Sequence, residues 1–298
     1  MNLDLSIIIV NYNTRQMTSE CIDSIFHFTT GITFEIIVVD NASTDGSYEL
    51  LSNDKRIVYI YNQENVGFGR ANNLGITIAN GRNIIFLNSD TLLQNDALSI
   101  LSHYLDSNST VGAVGGNLID ADGKPTLSFQ RLRPSITWEL NLLSLGFLSR
   151  LLYGRNRTYN FTHAPINTGY ISGADLMIKK SVLDKTGTFS PEFFMYYEET
   201  DLCARIARAG YKIQAIPDAI IMHLEGKSFS GKNGINQFRI KTQEESREIY
   251  YRRNYSQIYH KIANAIYTVT LTVQPYILSL LGKKNQSQIV KYRKHARK

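Results

Sequence analysis

The sequence predicts an α/β fold with a mostly parallel central sheet, helices on both faces and a C-terminal helical extension. Three observations predict it. The first 120 residues alternate short apolar runs with segments of helical periodicity. Three of the apolar runs end in a polar cluster, and the chain beyond residue 235 is basic and helical in pattern. Such alternation is typical of βαβ units, whose strands are parallel.

The predicted elements follow in order through the first 120 residues. Predicted strands cover 5–13, 34–43, 56–62 and 83–93, and each contains an apolar run long enough for a buried strand. Apolar residues at helical spacing predict helices over 14–28, around 48–51, over 67–80 and over 93–106. No internal repeat interrupts this rhythm.

The ends of three predicted strands share a polar character. Polar clusters occur at 11–13, 40–43 and 88–90. A single cluster of this kind is ordinarily a turn. Because the carboxyl ends of parallel strands lie along one edge of a sheet, three of them together predict a crevice that binds a ligand.

The rest of the chain divides by pattern and charge. We expect one domain over 1–232, regular in pattern over 1–120 and less regular over 121–232. A basic helical extension would cover 233–298. Residues 226–298 hold 15 Lys and Arg against three Glu, a balance of +12, so the remainder of this +6 chain carries −6.

Cysteine usage and charge exclude some classes of protein. Two distant cysteines favour a reducing cytosol over a disulfide framework, and the first apolar run is too short for a signal peptide. A basic tail suits nucleic acid or an anionic membrane surface. We expect no nucleic-acid partner, because no recognition motif accompanies the tail.

Seven blocks resemble a known family. The blocks SIIIVNYN, IVVDNAS, NVGFGRANN, FLNSDT, SGADLMI, FFMYYEETDLCARIARAGYKI and HLEGKS occur in the order seen in inverting glycosyltransferases of family 2. The chain is most similar to rhamnosyltransferase-type members that build surface polysaccharides. This resemblance covers about residues 4–230 and implies a nucleotide-sugar donor and a GT-A glycosyltransferase domain over 1–232, with a donor half over about 1–120 and an acceptor half over about 121–232.

The resemblance implies a divalent metal, Mn²⁺ or Mg²⁺, at Asp90 and His223. Asp90 matches the last residue of the family's Asp-X-Asp motif, although Asn88 stands in the first position. One carboxylate suffices for such an ion, because waters and substrate phosphates supply other ligands. The alternatives are a turn at Asp90 and a structural role for His223.

The resemblance also implies a set of donor-binding residues. Asp40 matches the residue that contacts the base, and a carboxylate can accept the N3–H of uracil or thymine. An Asx-turn is the alternative at Asp40. Ordinary strand packing is the alternative for Val10 and Tyr12, which match positions beside the nucleoside.

Further donor contacts are expected in three loops. In NVGFGRANN we expect Asn65, Gly67 and Arg70 beside the donor, with Arg70 on a phosphate. A solvated helix face is the alternative for Arg70. Ser89 lies next to the metal ligand, and Gly173 in SGAD would let the backbone approach the donor.

Glu199 matches the position of the family's catalytic base. The reaction needs one carboxylate to take the proton from the acceptor hydroxyl. Glu198 and Asp201 are alternatives, since acids in a first helical turn also stabilise the helix. Asp201 best fits that structural role, because Arg205 lies four residues later.

These assignments predict an inverting, metal-dependent glycosyltransferase. The expected donor is dTDP-L-rhamnose, with a UDP-hexose as the alternative, and the expected acceptor is a hydroxyl of a glycan or polyprenyl-linked glycan. A non-catalytic protein that only binds nucleotide sugars is a further alternative. It is disfavoured because Asp90, Glu199 and His223 are all present.

The uncharged stretch 262–281 indicates where the protein is located in the cell. It is long enough to span a bilayer, but its Asn, Gln and Thr residues and Pro275 favour an interfacial helix with basic flanks. We therefore expect a peripheral protein at the inner face of the cell membrane. The alternative is a helix that packs on the catalytic domain or forms a homodimer.

Overall fold

The computed structural model describes residues 3–224 and 236–297, so the predicted domain boundary at 232 lies outside the described residues. The strands are β1 Leu5–Asn11, β2 Phe34–Asp40, β3 Val58–Tyr61, β4 Asn83–Asn88, β5 Thr91–Leu93, β6 Val111–Ile119, β7 Phe129–Gln130, β8 Ile166–Asn167, β9 Tyr170–Ile171, β10 Asp175–Lys179 and β11 Lys212–His223. The helices are α1 Arg15–Phe28, α2 Ser47–Leu51, α3 Phe68–Ile78, α4 Ala97–Ser107, α5 Ile136–Leu143, α6 Phe147–Tyr153, α7 Lys180–Thr186, α8 Glu198–Arg208, α9 Gln237–Asn254, α10 Gln257–Leu280 and α11 Lys284–Ala296.

The central sheet confirms the predicted α/β class. Its strand order is β3-β2-β1-β4-β10-β6-β11-β5, and β8 also pairs with β11. The run β3-β2-β1-β4 is parallel, as is the pair of β6 and β11. β10 enters between β4 and β6 in the antiparallel direction. The first half therefore forms βαβ units, and one antiparallel strand joins it to the second half.

Strand alternation divides the core into two layers. Ile7 and Ile9 of β1 pack in one layer with residues of α1 and α4, whereas Ile8 packs in the other with residues of α3 and α8. All three are fully buried, which is worth roughly 2–3 kcal/mol per side chain before entropic costs. An apolar run without alternation is what a strand covered on both faces requires.

The predicted strand 83–93 is two strands. β4 ends at Asn88 and pairs with β1, whereas β5 begins at Thr91 and pairs antiparallel with β11. Ser89 and Asp90 form the turn between them. The turn and ligand interpretations of this stretch are therefore compatible, because the turn itself places Asp90 between the two strands.

Helices α9, α10 and α11 pack together, and α10 also packs on α5 of the catalytic region. A buried network joins α5 to α9 and α10: Glu139 Oε1 accepts from Arg247 Nη2 at 2.7 Å and from Tyr251 Oη at 2.7 Å, and Arg247 Nη1 donates to Asn264 Oδ1 of α10 at 2.6 Å. Within residues 3–224 and 236–297, no helix is long and apolar enough to cross a membrane. One face of α10 is thus covered by protein.

Candidate active site

The polar ends of β1, β2 and β4 meet through hydrogen bonds. Asn11 Nδ2 donates to Asp40 Oδ2 at 2.7 Å, and Thr14 Oγ1 donates to Asn11 Oδ1 at 2.8 Å. Thr14 Oγ1 also lies 2.9 Å from Ser89 Oγ. The structure therefore brings the three predicted polar clusters to one edge of the sheet, as expected for parallel strands.

Asp40 is fully buried and serves the local backbone. Its Oδ1 accepts from the amide N–H of Ser43 at 2.7 Å, as an Asx-type turn does, while Oδ2 faces Asn11. Val10 is partly buried, and Tyr12 is 38% exposed. The contact between Asp40 and a base stays a prediction, since the structure accounts for two of the four acceptor sites on this carboxylate.

Asp90 and His223 lie together at the same edge. Asp90 Oδ1 is 3.3 Å from His223 Nε2, and the two side chains are 13% and 11% exposed. Two cis ligands at about 2.1 Å from one octahedral ion are separated by roughly 3.0 Å, so this spacing fits a shared metal. Among the described residues no group of three or more His, Cys, Asp or Glu could hold an ion.

The loop before α3 is shaped by Asn65 and Gly67. Asn65 Oδ1 accepts from Asn41 Nδ2 at 2.8 Å and from the Gly67 amide at 3.0 Å. Gly67 has φ +87°, and a Cβ there would lie 2.2 Å from the Phe194 carbonyl oxygen, so only glycine fits. Arg70 is exposed and donates through Nε to the Pro191 carbonyl at 2.8 Å. That bond leaves its two terminal nitrogens for another ligand.

Gly173 connects the metal pair to the predicted base. The amide of Asn88 donates to the Ala174 carbonyl at 3.0 Å, which ties this segment to the end of β4. A Cβ on Gly173 would lie 3.8 Å from Glu199 Cγ. Glu199 and the turn that holds Asp90 therefore flank one short segment, although they are more than 100 residues apart in the chain.

Glu198 and Glu199 begin α8 in a setting that favours their protonated forms. Burial raises the pKa of both carboxyls, and the charge of Glu199 raises that of Glu198 further. Neither has an ion-pair partner among the described residues. Tyr196 and Tyr197 precede them with φ of 70° and 67°, a conformation that is costly for side chains of this size. The backbone is therefore strained where α8 presents Glu199.

The third acid of this turn is structural, which confirms the prediction for Asp201. Asp201 Oδ2 accepts from Arg205 Nε at 3.0 Å, and Oδ1 accepts from Asn254 Nδ2 at 2.9 Å. These bonds join α8 to itself and to α9. Asp201 is therefore not the acid that faces Gly173.

The structure adds Asp175, which the motif analysis missed. It is fully buried in β10, one residue after Ala174, and Oδ2 accepts from the Gly116 amide at 2.5 Å while Oδ1 has no partner. Burial raises its pKa to about 7, opposed by the nearby His223. The signal was present in the block SGADLMI, where a charged residue stands inside an apolar strand.

The fold and the site define a GT-A-like α/β protein with a polar edge of the sheet that carries Asp40, Asp90 and His223. The model of the family described as "Glycosyl transferase family 2" matches residues 6–187, which is more than half of the chain. The chain belongs to this family. Rhamnosyl specificity within it is not resolved by its relatives.

Two relatives and one solved structure illustrate the similarity. The chain is 29% identical over 215 residues to the low-salt glycan biosynthesis hexosyltransferase Agl10 of Haloferax volcanii, covering 70% of this chain and 64% of that protein. It is 24% identical over 204 residues to the dTDP-rhamnosyl transferase RfbF of Shigella flexneri, covering 67% and 63%. The matches thus span less than two thirds of either relative.

The structural similarity extends over the whole chain. The mannosyltransferase PcManGT from Pyrobaculum calidifontis, solved with GDP-Man and Mn²⁺, superposes with a TM-score of 0.65 at 17% identity. The match covers 99% of this chain and 86% of PcManGT. At this level of identity the likeness establishes the fold.

Proposed function

We propose that the protein transfers a sugar, with inversion, from a nucleotide-diphosphate donor to a hydroxyl of a glycan or lipid-linked glycan. One observation supports this most directly. The segment that contains Gly173 and Ala174 contacts Glu199 at Gly173 and, at Ala174, the end of β4, two residues before the Asp90 that pairs with His223. A base and a metal site around one gap are what direct displacement at a sugar carbon requires.

Asp90 Oδ1 and His223 Nε2 would hold the divalent metal, Mn²⁺ or Mg²⁺. When bound, the ion supplies Lewis-acid stabilisation for the negative charge on the diphosphate leaving group. His223 favours Mn²⁺, since imidazole is a poorer ligand for Mg²⁺. PcManGT was solved with Mn²⁺ and a nucleotide sugar, which supports the same class of ligands here.

Glu199 would act as the base. As the acceptor oxygen attacks the anomeric carbon, Glu199 takes the hydroxyl proton, and the bond to the nucleoside diphosphate breaks with its electron pair on the leaving oxygen. One attack from the face opposite the leaving group inverts that carbon. Burial favours a proton on Glu199, which strengthens the carboxylate as a base.

The other site residues would bind the donor. The proposed set is Val10, Tyr12, Asp40, Asn65, Gly67, Arg70, Ser89 and Gly173. We propose dTDP-L-rhamnose as the donor, which the similarity to the dTDP-rhamnosyl transferase RfbF supports. A UDP-hexose is the second candidate, because Agl10 is named a hexosyltransferase.

Calorimetric titration of the purified chain with dTDP and UDP, each with and without Mn²⁺, tests the proposal. We expect metal-dependent binding that is weakened by Asp90→Asn. Tighter binding of dTDP would support the rhamnose donor, and tighter binding of UDP would replace it with a hexose. Failure of both nucleotides to bind in the presence of Mn²⁺ would contradict the proposed function.

We also propose that the C-terminal extension associates with an anionic membrane surface. Ile258, Ile262, Val269, Val273 and Tyr276 are all at least 40% exposed and follow one face of α10. The last 50 residues hold ten Lys and Arg and no acid, and each base near such a surface contributes about 1 kcal/mol. This location would be peripheral, at the inner face of the cell membrane.

Substitution of the exposed face tests this location better than deletion, because deletion would also uncover α5. Val269→Asp with Val273→Asp should abolish sedimentation with phosphatidylglycerol vesicles, while Thr268→Asp with Thr272→Asp, on the same helix, tests added charge alone. If both double variants behave alike, charge rather than the apolar face binds the vesicles. If the wild type is instead a dimer that the valine variant dissociates, the face is a homodimer interface.

A further inference from the structure

A second cleft lies in the acceptor half and has no assigned ligand. It has a volume of about 660 Å³ and is lined by Arg150, Arg155 and Arg157 together with Tyr159 and Phe161. No Asp or Glu is among the described residues that line it. Three guanidinium groups without a carboxylate are unusual in one cleft, because each is charged at every physiological pH.

The charge of the three arginines is not neutralised by an acid among the described residues, although Arg155 Nη2 donates to the Phe161 carbonyl at 3.4 Å. The guanidinium of Arg155 lies over the ring of Phe161, 4.7 Å from the ring centroid, a contact that helps to position it. Planar, prepositioned guanidinium groups bind phosphate through paired N–H donors.

Apolar residues stand beside this charge on α6. Phe147, Arg150 and Leu151 follow one face of the helix at spacings of three and four residues. Phe147 is 64% exposed and Leu151 is 70% exposed, although such side chains ordinarily favour burial. The neighbouring Leu152 is also exposed. The cleft therefore adjoins an uncovered apolar surface.

The fold places this cleft on the same side of the sheet as the active site. The amide of Thr126, a lining residue, donates to the Leu118 carbonyl near the end of β6. On β11 the partner of Ile119 is Met222, the residue before His223. The lining of the cleft is thus joined to β6, the strand that pairs with β11, which ends at His223.

We propose that this cleft binds the phosphate or diphosphate group of an acceptor carried on an apolar chain. The arginines match the negative charge of the head group, and the exposed face of α6 matches the chain. The proposal rests on the proposed function, since it assigns the class of acceptor. It places the phosphate end of that acceptor in the cleft and leaves its sugar hydroxyl toward Glu199.

Binding of farnesyl diphosphate to the full-length protein tests this proposal. Two comparison ligands are used: inorganic diphosphate, which lacks the apolar chain, and farnesol, which lacks the charge. A chelator is present, so that the Asp90–His223 pair cannot hold the diphosphate through a metal. We expect farnesyl diphosphate to bind at least tenfold more tightly than either fragment. Equal binding of all three, or no binding of farnesyl diphosphate, would overturn the proposal.

Variants separate the two parts of the site. Arg155→Gln with Arg157→Gln should weaken farnesyl diphosphate binding by roughly tenfold or more. Leu151→Ser should weaken it while leaving inorganic diphosphate unaffected. The control Arg208→Gln removes an exposed arginine of α8 outside the cleft and should change neither. A loss in the control equal to that in the cleft variant would show a general charge effect and contradict the site.

Two further measurements are needed. One distinguishes a lipid-linked acceptor from a phospholipid head group as the source of the phosphate, and the other distinguishes this inference from the proposed donor site. If phosphatidylglycerol vesicles compete fully with farnesyl diphosphate, the cleft binds phospholipid head groups and the acceptor assignment is wrong. Titration of the same preparation with dTDP or UDP and Mn²⁺ reports on the donor site alone. Nucleotide binding without farnesyl diphosphate binding would overturn only this inference, and the reverse would overturn only the donor site.

Discussion

Two groups of buried carboxylates differ in what surrounds them. Where the C-terminal helices pack, Glu139 accepts from Arg247 and Tyr251, and Glu244 accepts from Arg293 Nη1 at 2.9 Å. Beneath the edge of the sheet, Glu198 and Asp175 are buried and Glu199 is half-buried, and none of the three forms an ion pair with a described residue.

Burial raises the pKa of Glu139 in the first group and of Glu198, Glu199 and Asp175 in the second, but among the described residues an arginine opposes this shift only at Glu139. Arg247 lowers the pKa of Glu139 again, whereas among the described residues no cation lowers the pKa of Glu198 or Glu199. A buried acid without a counter-charge destabilises the fold and persists where function needs it. The comparison therefore separates carboxylates that hold the extension in place from those available for chemistry.

The sharpest test of this comparison is Glu199→Gln. Removal of the base should lower kcat by roughly 10³- to 10⁴-fold, or about 4–5 kcal/mol, while nucleotide affinity measured by calorimetry is unchanged. The matched variant is Glu198→Gln. Glu198 keeps its proton while Glu199 ionises, because the charge of Glu199 raises the pKa of Glu198. Glutamine imitates that protonated form, so this variant should stay active.

The pH dependence of the activity follows from the raised pKa of Glu199. The reaction needs Glu199 deprotonated, and its pKa is raised. Activity should therefore be lost as the pH falls through a value above the ordinary range for glutamate, in the wild type and in Glu198→Gln alike. A profile that is flat down to pH 4, or full activity of Glu199→Gln, would rule out Glu199 as the base.

The sequence predicted which polar residues meet at the edge of the sheet, but not the contacts that surround them. The polar clusters at Asn11, Asp40 and Asp90 could be placed together because parallel strands end at one edge. The division of 83–93 into two strands could not be predicted, since β5 exists only through its pairing with β11, which is remote in sequence. The network of Glu139 and Arg247 joins residues 108 positions apart and has no local signal.

Asp175→Asn tests whether an unpaired carboxylate costs stability. The folded-state pKa is about 7, against an ordinary 3.8. A raised pKa means that its contribution to stability is complete below about pH 4 and is lost as the pH rises to about 7. The wild type should lose up to about 4 kcal/mol of unfolding free energy across that window through this group alone.

The asparagine variant should lack this part of the pH dependence and be more stable than the wild type at pH 8. Urea unfolding at pH 5 and pH 8 in the presence of a chelator measures it. Asp122→Asn is the control, since that side chain is exposed and pairs only with Lys124. If Asp175→Asn and the wild type lose the same stability between the two pH values, Asp175 is already ionised in the folded protein.

The smallest expected effect concerns the buried carboxylates that have an arginine partner. Glu139→Ala leaves Arg247 buried without a counter-charge, which should cost about 3 kcal/mol of unfolding free energy. Glu192→Ala removes an acid that pairs with Arg252 and Arg253 at the surface, where its side chain is 40% exposed, and should cost at most about 1 kcal/mol.

Both losses are read from urea unfolding, and the rate per folded molecule should stay within about twofold of the wild type, since neither acid lies beside Gly173. Equal costs for the buried and the surface acid would mean that Arg247 finds solvent or another partner when Glu139 is absent. A fall in rate comparable to that of Glu199→Gln would instead mean that the extension positions α8. In that case the paired carboxylates serve the reaction too, and a counter-charge does not distinguish structural from catalytic acids in this protein.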